Sequence, residues 1–130
     1  FYRVSVDNQF PYNVYGGQQD NTSVKIASRT DGFGITWKDW EVSAGCESAY
    51  LAYDPDSPEI VYGGCYQGII EALDMKTGEA KSIMAYPYLG LATQPKNVKY
   101  RFNWNAPILV SKHNKSVLYH AGNVLLKSTD

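Results

Sequence analysis

Apolar and polar positions alternate along most of this chain, in short runs broken by Gly, Pro, Asn and Asp. That period-two pattern predicts half-buried strands separated by tight turns. In residues 1–7, Tyr2, Val4 and Val6 fall on one face, and Arg3, Ser5 and Asp7 on the other. Asn8 and Pro11 then supply a turn. A second strand is expected over residues 12–17, where Gly16 and Gly17 permit a tight or bulged exit. A third covers residues 23–28, with Val24 and Ile26 on one face. After the turn at residues 30–34, a fourth covers residues 35–42 and carries Trp37 and Trp40.

The pattern then starts again. Strands are expected at residues 49–53, 60–64, 69–74 and 80–86, with turns at 54–58 and 75–79. Helix is the rival for residues 69–76, but that run is short and bracketed by Gly68 and Gly78. Isolated helices need roughly 12 residues or more. Residues 87–103 form a long irregular stretch broken by Pro87, Gly90 and Pro95, and loops of this length are commonly functional. A third pass begins at Trp104, with strands at residues 106–111, 116–119 and 123–128 and no fourth.

Three matching strands mark the repeat. Asn13-Val14-Tyr15-Gly16-Gly17 returns as Ile60-Val61-Tyr62-Gly63-Gly64 and again as Val117-Leu118-Tyr119-His120-Ala121. Tyr62 follows Tyr15 by 47 positions, and Tyr119 follows Tyr62 by 57. The surplus falls in the long loop. Four short strands in about 45 residues is the size of one propeller blade. The expected fold is therefore all-β: a fragment of a β-propeller of about two and three-quarter blades, each a four-stranded antiparallel sheet. The blades are placed at residues 1–45, 46–86 (followed by the loop at 87–103) and 104–130. Such a fragment cannot close a ring, so it should expose apolar faces at both ends and take the remaining blades of its parent chain as partners.

Composition narrows the partners. Net charge is −1, with 12 basic and 13 acidic residues scattered along the chain. This gives no footprint for nucleic acid. No apolar run approaches the roughly 20 residues of a membrane-spanning helix. The 11 tyrosines against 4 phenylalanines suit a pleated, half-wet surface. The chain opens Phe-Tyr-Arg and stops at Ser-Thr-Asp inside a motif, and so reads as a piece of a longer protein.

Residues 54–62, Asp-Pro-Asp-Ser-Pro-Glu-Ile-Val-Tyr, resemble the strand–turn–strand of bacterial neuraminidase-repeat propellers. Residues 123–130 resemble the strand entering an Asp-box, the Ser-x-Asp-x-Gly-x-Thr-Trp hairpin. Residues 30–37 resemble the same box with Gly32 where Asp should stand and Asp31 one place early. Further runs at residues 1–8, 16–21, 45–48 and 99–104 are similar to sortilin-like propellers often labelled bacterial glycosyl hydrolases. The resemblance implies a secreted or periplasmic protein. It also connects the chain to xyloglucan-cleaving propeller hydrolases, although a fold does not fix a function.

Glycoside cleavage needs two carboxylates facing a sugar cleft. Asp20 stands where the xyloglucan-cleaving propellers have an Asp before Gly-Gly, here replaced by Asn21-Thr22. Glu47 precedes the innermost strand of the second blade, near the rim of a central channel. For each the plainer reading is structural: a turn at Asp20 and Asn21, and a channel-lining hydrogen bond at Glu47. Gln19, Asn21, Asn103, Trp104 and Asn105 are candidate ligand contacts. Trp37 is expected to pack within or between blades. The same hairpin register brings Cys46 near Cys65, and two separate thiols are favoured over a disulfide. His113 and His120 lack the spaced partners of a zinc site, and neither metal nor cofactor is expected. Asn21 and Asn114 each open an Asn-x-Ser/Thr triplet. The leading functional expectation is a module binding a protein, peptide or glycan on a loop face. The alternative is a glycoside hydrolase acting on a β-glucan or xyloglucan.

Overall fold

The computed structural model describes residues 1–129, so Asp130, the expected Asp-box aspartate, lies outside the described residues. The strands are β1 Val4–Val6, β2 Asn13–Gly17, β3 Thr22–Ala27, β4 Trp40–Cys46, β5 Leu51–Tyr53, β6 Ile60–Gly64, β7 Ile70–Asp74, β8 Ala80–Ser82, β9 Ile108–Val110, β10 Leu118–Ala121 and β11 Leu125–Ser128. They form three antiparallel meanders, in the orders β1-β2-β3-β4, β5-β6-β7-β8 and β9-β10-β11. The run at residues 70–74 is strand, not helix. Among the described residues there is no α-helix.

Register decides which side chains share a face, because directly paired residues point the same way. Tyr53 pairs with Val61, and Val61 with Leu73. That face meets Tyr15 and Ala44 of the first sheet in one buried cluster. The opposite face of the middle sheet carries Ala52 and Ile70, which pack with Ile108, Val110 and Leu118 of the third sheet. The three sheets therefore stack face to face, with the middle one apolar on both sides. Full burial of a side chain such as Val61 contributes roughly 1.5–3 kcal/mol.

The glycine pairs act differently from the expectation. Gly16, Gly17, Gly63 and Gly64 are not among the positive-φ residues. What they provide is clearance. A Cβ on Gly17 would lie 2.7 Å from the Ala49 amide nitrogen, and one on Gly63 would overlap the Ala44 carbonyl. The end of β4 thus crosses directly over the end of β6. Gly45, at φ +81, turns the chain there, and its N–H donates to Glu71 Oε1 at 2.8 Å. The irregularity lies between β3 and β4, where the register shifts between Thr22 and Val24. Beside it Ser23 Oγ donates to the Ala44 carbonyl at 2.5 Å.

Other expectations need correction. The apolar side of β1 faces outward: Val4 is 64% and Val6 53% exposed, while Ser5 points inward and accepts from Tyr53 Oη at 2.9 Å. Alternation identified the two faces but not which one meets a neighbouring sheet. The fourth strand begins at Trp40, because Thr36 and Asp39 form a capping box around a single 3-10 turn at Trp37–Asp39. Trp37 is left 75% exposed beside Lys38 and packs within no core. β8 ends at Ser82, and β10 begins at Leu118.

A buried polar network centred on Asp7 holds the first two sheets to one arrangement. Asp7 is nearly inaccessible and accepts from the Gln9 and Asn13 amides, Asn13 Nδ2 and Tyr15 Oη. Burial pushes its pKa up, but those hydrogen bonds outweigh it and hold the carboxyl below its usual range. Its partner Tyr15 is driven well above the usual phenol range by burial and by Asp7, and packs against Tyr53 with centroids 4.2 Å apart and planes tilted by 36°. His120 is 6% exposed and lies against Phe102 at 4.6 Å. Burial depresses its pKa from 6.5 to about 4.

Gly63→Ala is expected to destabilise the fold by about 1–3 kcal/mol through overpacking against the Ala44 backbone. Gly34→Ala, with nothing within 4 Å of the new methyl, should change little. Urea titration of the two variants separates them. His120 generates a pH dependence of defined sign. The unfolded chain takes up a proton near pH 6.5 and the folded chain only near about 4, so stability is full above 6.5 and falls as pH drops to about 4. His120→Phe should flatten the urea midpoint across that window, and an unchanged slope would exclude His120 as the cause.

Candidate functional site

Strand alternation places the connections β2–β3, β4–β5, β6–β7, β8–β9 and β10–β11 at one end of the stacked sheets. Every candidate site residue lies in one of them. The opposite end is held shut by turn-to-turn bonds: Asn8 Nδ2 donates to Asp56 Oδ1 at 2.6 Å, and Lys115 pairs with Asp54 at 2.7 Å.

Gln19, Asp20 and Asn21 form the turn after β2, with the Asn21 amide donating to the Gln18 carbonyl at 3.0 Å. Asp20 takes φ +58, a left-handed conformation that Asp tolerates. Its amide donates to Glu47 Oε2 at 2.8 Å. The structure therefore brings the two expected carboxylate residues together, with Glu47 capping the turn that presents Asp20. Asp20 is exposed, and no hydrogen bond or ion pair to its carboxylate is found among the described residues. Glu47 is half-buried with one oxygen engaged. Two carboxylates working as acid and base need a substrate bond between them, and here one of them is holding backbone.

The β8–β9 connection joins through Ser48. Asn105 Nδ2 donates to the Ser48 carbonyl at 3.0 Å. Trp104, expected to begin an inner strand, sits in the turn before β9 and stacks on Tyr66, with centroids 5.5 Å apart and planes 14° from parallel. Asn103 departs from this group and lines a separate hollow with Arg101, Gly122 and Asn123. That hollow is sealed on one side by the Arg101 amide donating to Asn123 Oδ1 at 2.7 Å. Tyr66 is the site residue that sequence reasoning missed. Its signal was an aromatic just past a Gly-Gly-Cys strand end, at the same topological end as Glu47.

Cys46 and Cys65 form a disulfide with Cα atoms 5.1 Å apart, against the expectation of two thiols. The reason is the crossing at Gly63 and Gly64. Cys46 arrives from β4 of the neighbouring sheet, not along the β5–β6 hairpin, so hairpin register did not govern the pair. The bond fixes the root of Glu47 on one side and of Tyr66 on the other. Among the described residues no group of three or more His, Cys, Asp or Glu is placed to hold a metal ion. His113 sits exposed in the turn before β10.

Replacing both cysteines by Ser should cost about 3 kcal/mol for a closed loop of this length. Chemical denaturation of oxidised and reduced protein measures this directly, and equal midpoints would show that the bond adds nothing.

No family model matches the chain, and neither does a curated protein or a solved structure.

Proposed function

We propose that this chain is part of an extracytoplasmic β-propeller of the sortilin-like, Asp-box kind, and that the end carrying residues 18–21, 47–48, 66 and 103–105 binds a ligand, best a glycan. The observation that carries the reading is the Tyr66–Trp104 stack, with Trp104 42% exposed. A flat aromatic face at a loop end suits the apolar face of a sugar ring. At the same end of the sheets lie the Asp20 carboxylate and the Gln19 side-chain amide, which offer the acceptors and donors that hydroxyls need.

The propeller reading is supported by the outer faces. Val4, Val6 and Val42 on one side, and Leu109 and Leu125 on the other, are exposed in the positions where inner sheets bury apolar side chains. Further blades stacked in the same way would cover them. The disulfide supports an oxidising compartment. A second reading, a glycoside hydrolase acting on a β-glucan or xyloglucan, is favoured by one observation, the Asp20–Glu47 juxtaposition.

Binding to an array of oligosaccharides and peptides tests both. Trp104→Ala should weaken glycan binding about tenfold, roughly 1.4 kcal/mol. On the hydrolase reading, Asp20→Asn and Glu47→Gln would each abolish release of reducing ends from xyloglucan. Absence of turnover in the parent protein sinks the hydrolase, and capture of peptides alone sinks the glycan.

A further inference from the structure

The charges of this chain balance in total but are segregated in place. Residues 1–79 hold five Lys or Arg and twelve Asp or Glu, whereas residues 80–129 hold seven Lys or Arg and no acid. The second set comprises β8, the long loop and the whole third sheet. Of its seven bases, Lys115 is paired with Asp54 of the second sheet. Among the described residues the other six make no ion pair. Three of them, Lys96, Lys99 and Arg101, are exposed in the β8–β9 connection, at the same end as the Tyr66–Trp104 stack. A cluster of one sign on that end attracts and steers anions.

The loop presents these bases on a framework of rings. Lys99 Nζ lies 4.6 Å from the Tyr86 ring centroid and 5.3 Å from that of Tyr100. Tyr86 meets Tyr100 edge to face at 6.1 Å and Tyr88 at 6.3 Å. Arg101 lines two hollows, a cleft shared with Tyr88, Tyr100 and Phe102 and the hollow shared with Asn103 and Asn123, and neither is lined by an Asp or Glu. The backing is fixed. Gln67 stands at φ 60 behind the cleft, and Phe102 packs so closely on Gly68 that a Cβ there would overlap its ring. The Arg101 amide donates to Asn123 Oδ1 at 2.7 Å, and its carbonyl accepts from the Asn123 amide at 2.8 Å. Among the described residues its guanidinium makes no hydrogen bond, so its fork of donors is open to a planar oxyanion.

We propose that residues 96–101 are the anion-recognising part of the site, and that its glycan is an acidic one, bearing carboxylate or sulfate groups on its rings. Arg101 engages one oxyanion through paired N–H donors, and Lys96 and Lys99 act as point charges beside it. The tyrosine rings and Trp104 receive the C–H faces of the sugars. This rests on the glycan reading above and names its class. Arg101 and Trp104 are three positions apart, at most about 11 Å of chain, so one short oligosaccharide reaches both. Other polyanions fit less well. A phosphodiester chain is charged at every step and would be repelled by Asp20 and Glu47 on the first-sheet side of the same end. An acidic peptide brings no flat C–H face to the Tyr66–Trp104 stack.

Isothermal titration with tetragalacturonate, tetramannuronate and a chondroitin sulfate tetrasaccharide, against methyl-esterified tetragalacturonate and cellotetraose, tests the class. At least one acidic sugar is expected to bind about tenfold or more tighter than either neutral one. The carboxylate and sulfate arms identify the oxyanion. Raising salt from about 0.05 to about 0.5 M should weaken that binding by screening. Arg101→Gln and Lys99→Gln should each weaken it several-fold, while Lys99→Arg retains it. Lys112→Gln removes a base of the same acid-free half at the opposite end, and should leave it unchanged. Tm checks the fold of each variant, and a loss of binding with Tm maintained cannot come from misfolding. Neutral sugars binding as tightly as acidic ones overturn the inference and leave the glycan reading standing. An equal loss with Lys112→Gln reveals a diffuse field and overturns the assigned segment. Binding of hexaglutamate or oligothymidylate in place of any sugar, or of no ligand at all, overturns the inference and the glycan reading together.

Discussion

One steric constraint organises this molecule: β4 of the first sheet ends by passing backbone-to-backbone over Gly63 and Gly64 of the second. Strands that cross at that separation leave no room for a Cβ, so the residue type at the crossing is set by geometry. The crossing carries Cys46 over Cys65 and closes the disulfide. It delivers Glu47 to the Asp20 amide and Ser48 to Asn105. Core packing and candidate site are thus consequences of one contact. Gly17 repeats the device where residues 46–49 pass the first sheet.

Around that contact the interior is more polar than an ordinary sheet core. Asp7, Ser23, Ser43, Ser48 and His120 are all buried. Asp7 is fully engaged and ties the first turn to Tyr15, whereas Ser43 Oγ and His120 Nε2 are buried without a partner. A satisfied buried network specifies one arrangement, and an unsatisfied group weakens it. The two extremes lie in different interfaces, Asp7 between the first and second sheets and His120 between the second and third. Acid should therefore loosen the second interface first.

At the candidate end, the carboxylate that sequence reasoning placed at Glu47 is spent in part on holding a turn. This favours recognition over proton transfer. A cap that orients Asp20 is a positioning device, and the stacked rings beside it offer surface rather than reactive atoms. The three-sheet stack itself is neutral on the question, since the same architecture serves binding and hydrolysis alike.

Strand content, the three meanders and the mark Ile60–Gly64 were legible in the sequence, because alternation and turn residues are local signals. So was the end of the sheets at which Asp20, Glu47 and Trp104 would gather, since antiparallel order fixes which loops lie together. The sequence also holds the Gly-Gly pairs, but their role was misread as conformational freedom. Three things belonged to tertiary structure alone. The outward face of β1 depends on which side a neighbour covers. The Cys46–Cys65 bond depends on a crossing between sheets. The left-handed Gln67 lies beside Phe102, which arrives from 35 positions further along the chain and packs on Gly68. Local periodicity carries information about a strand and its own neighbours. It carries none about which distant backbone will lie against it, and that is what determined the site.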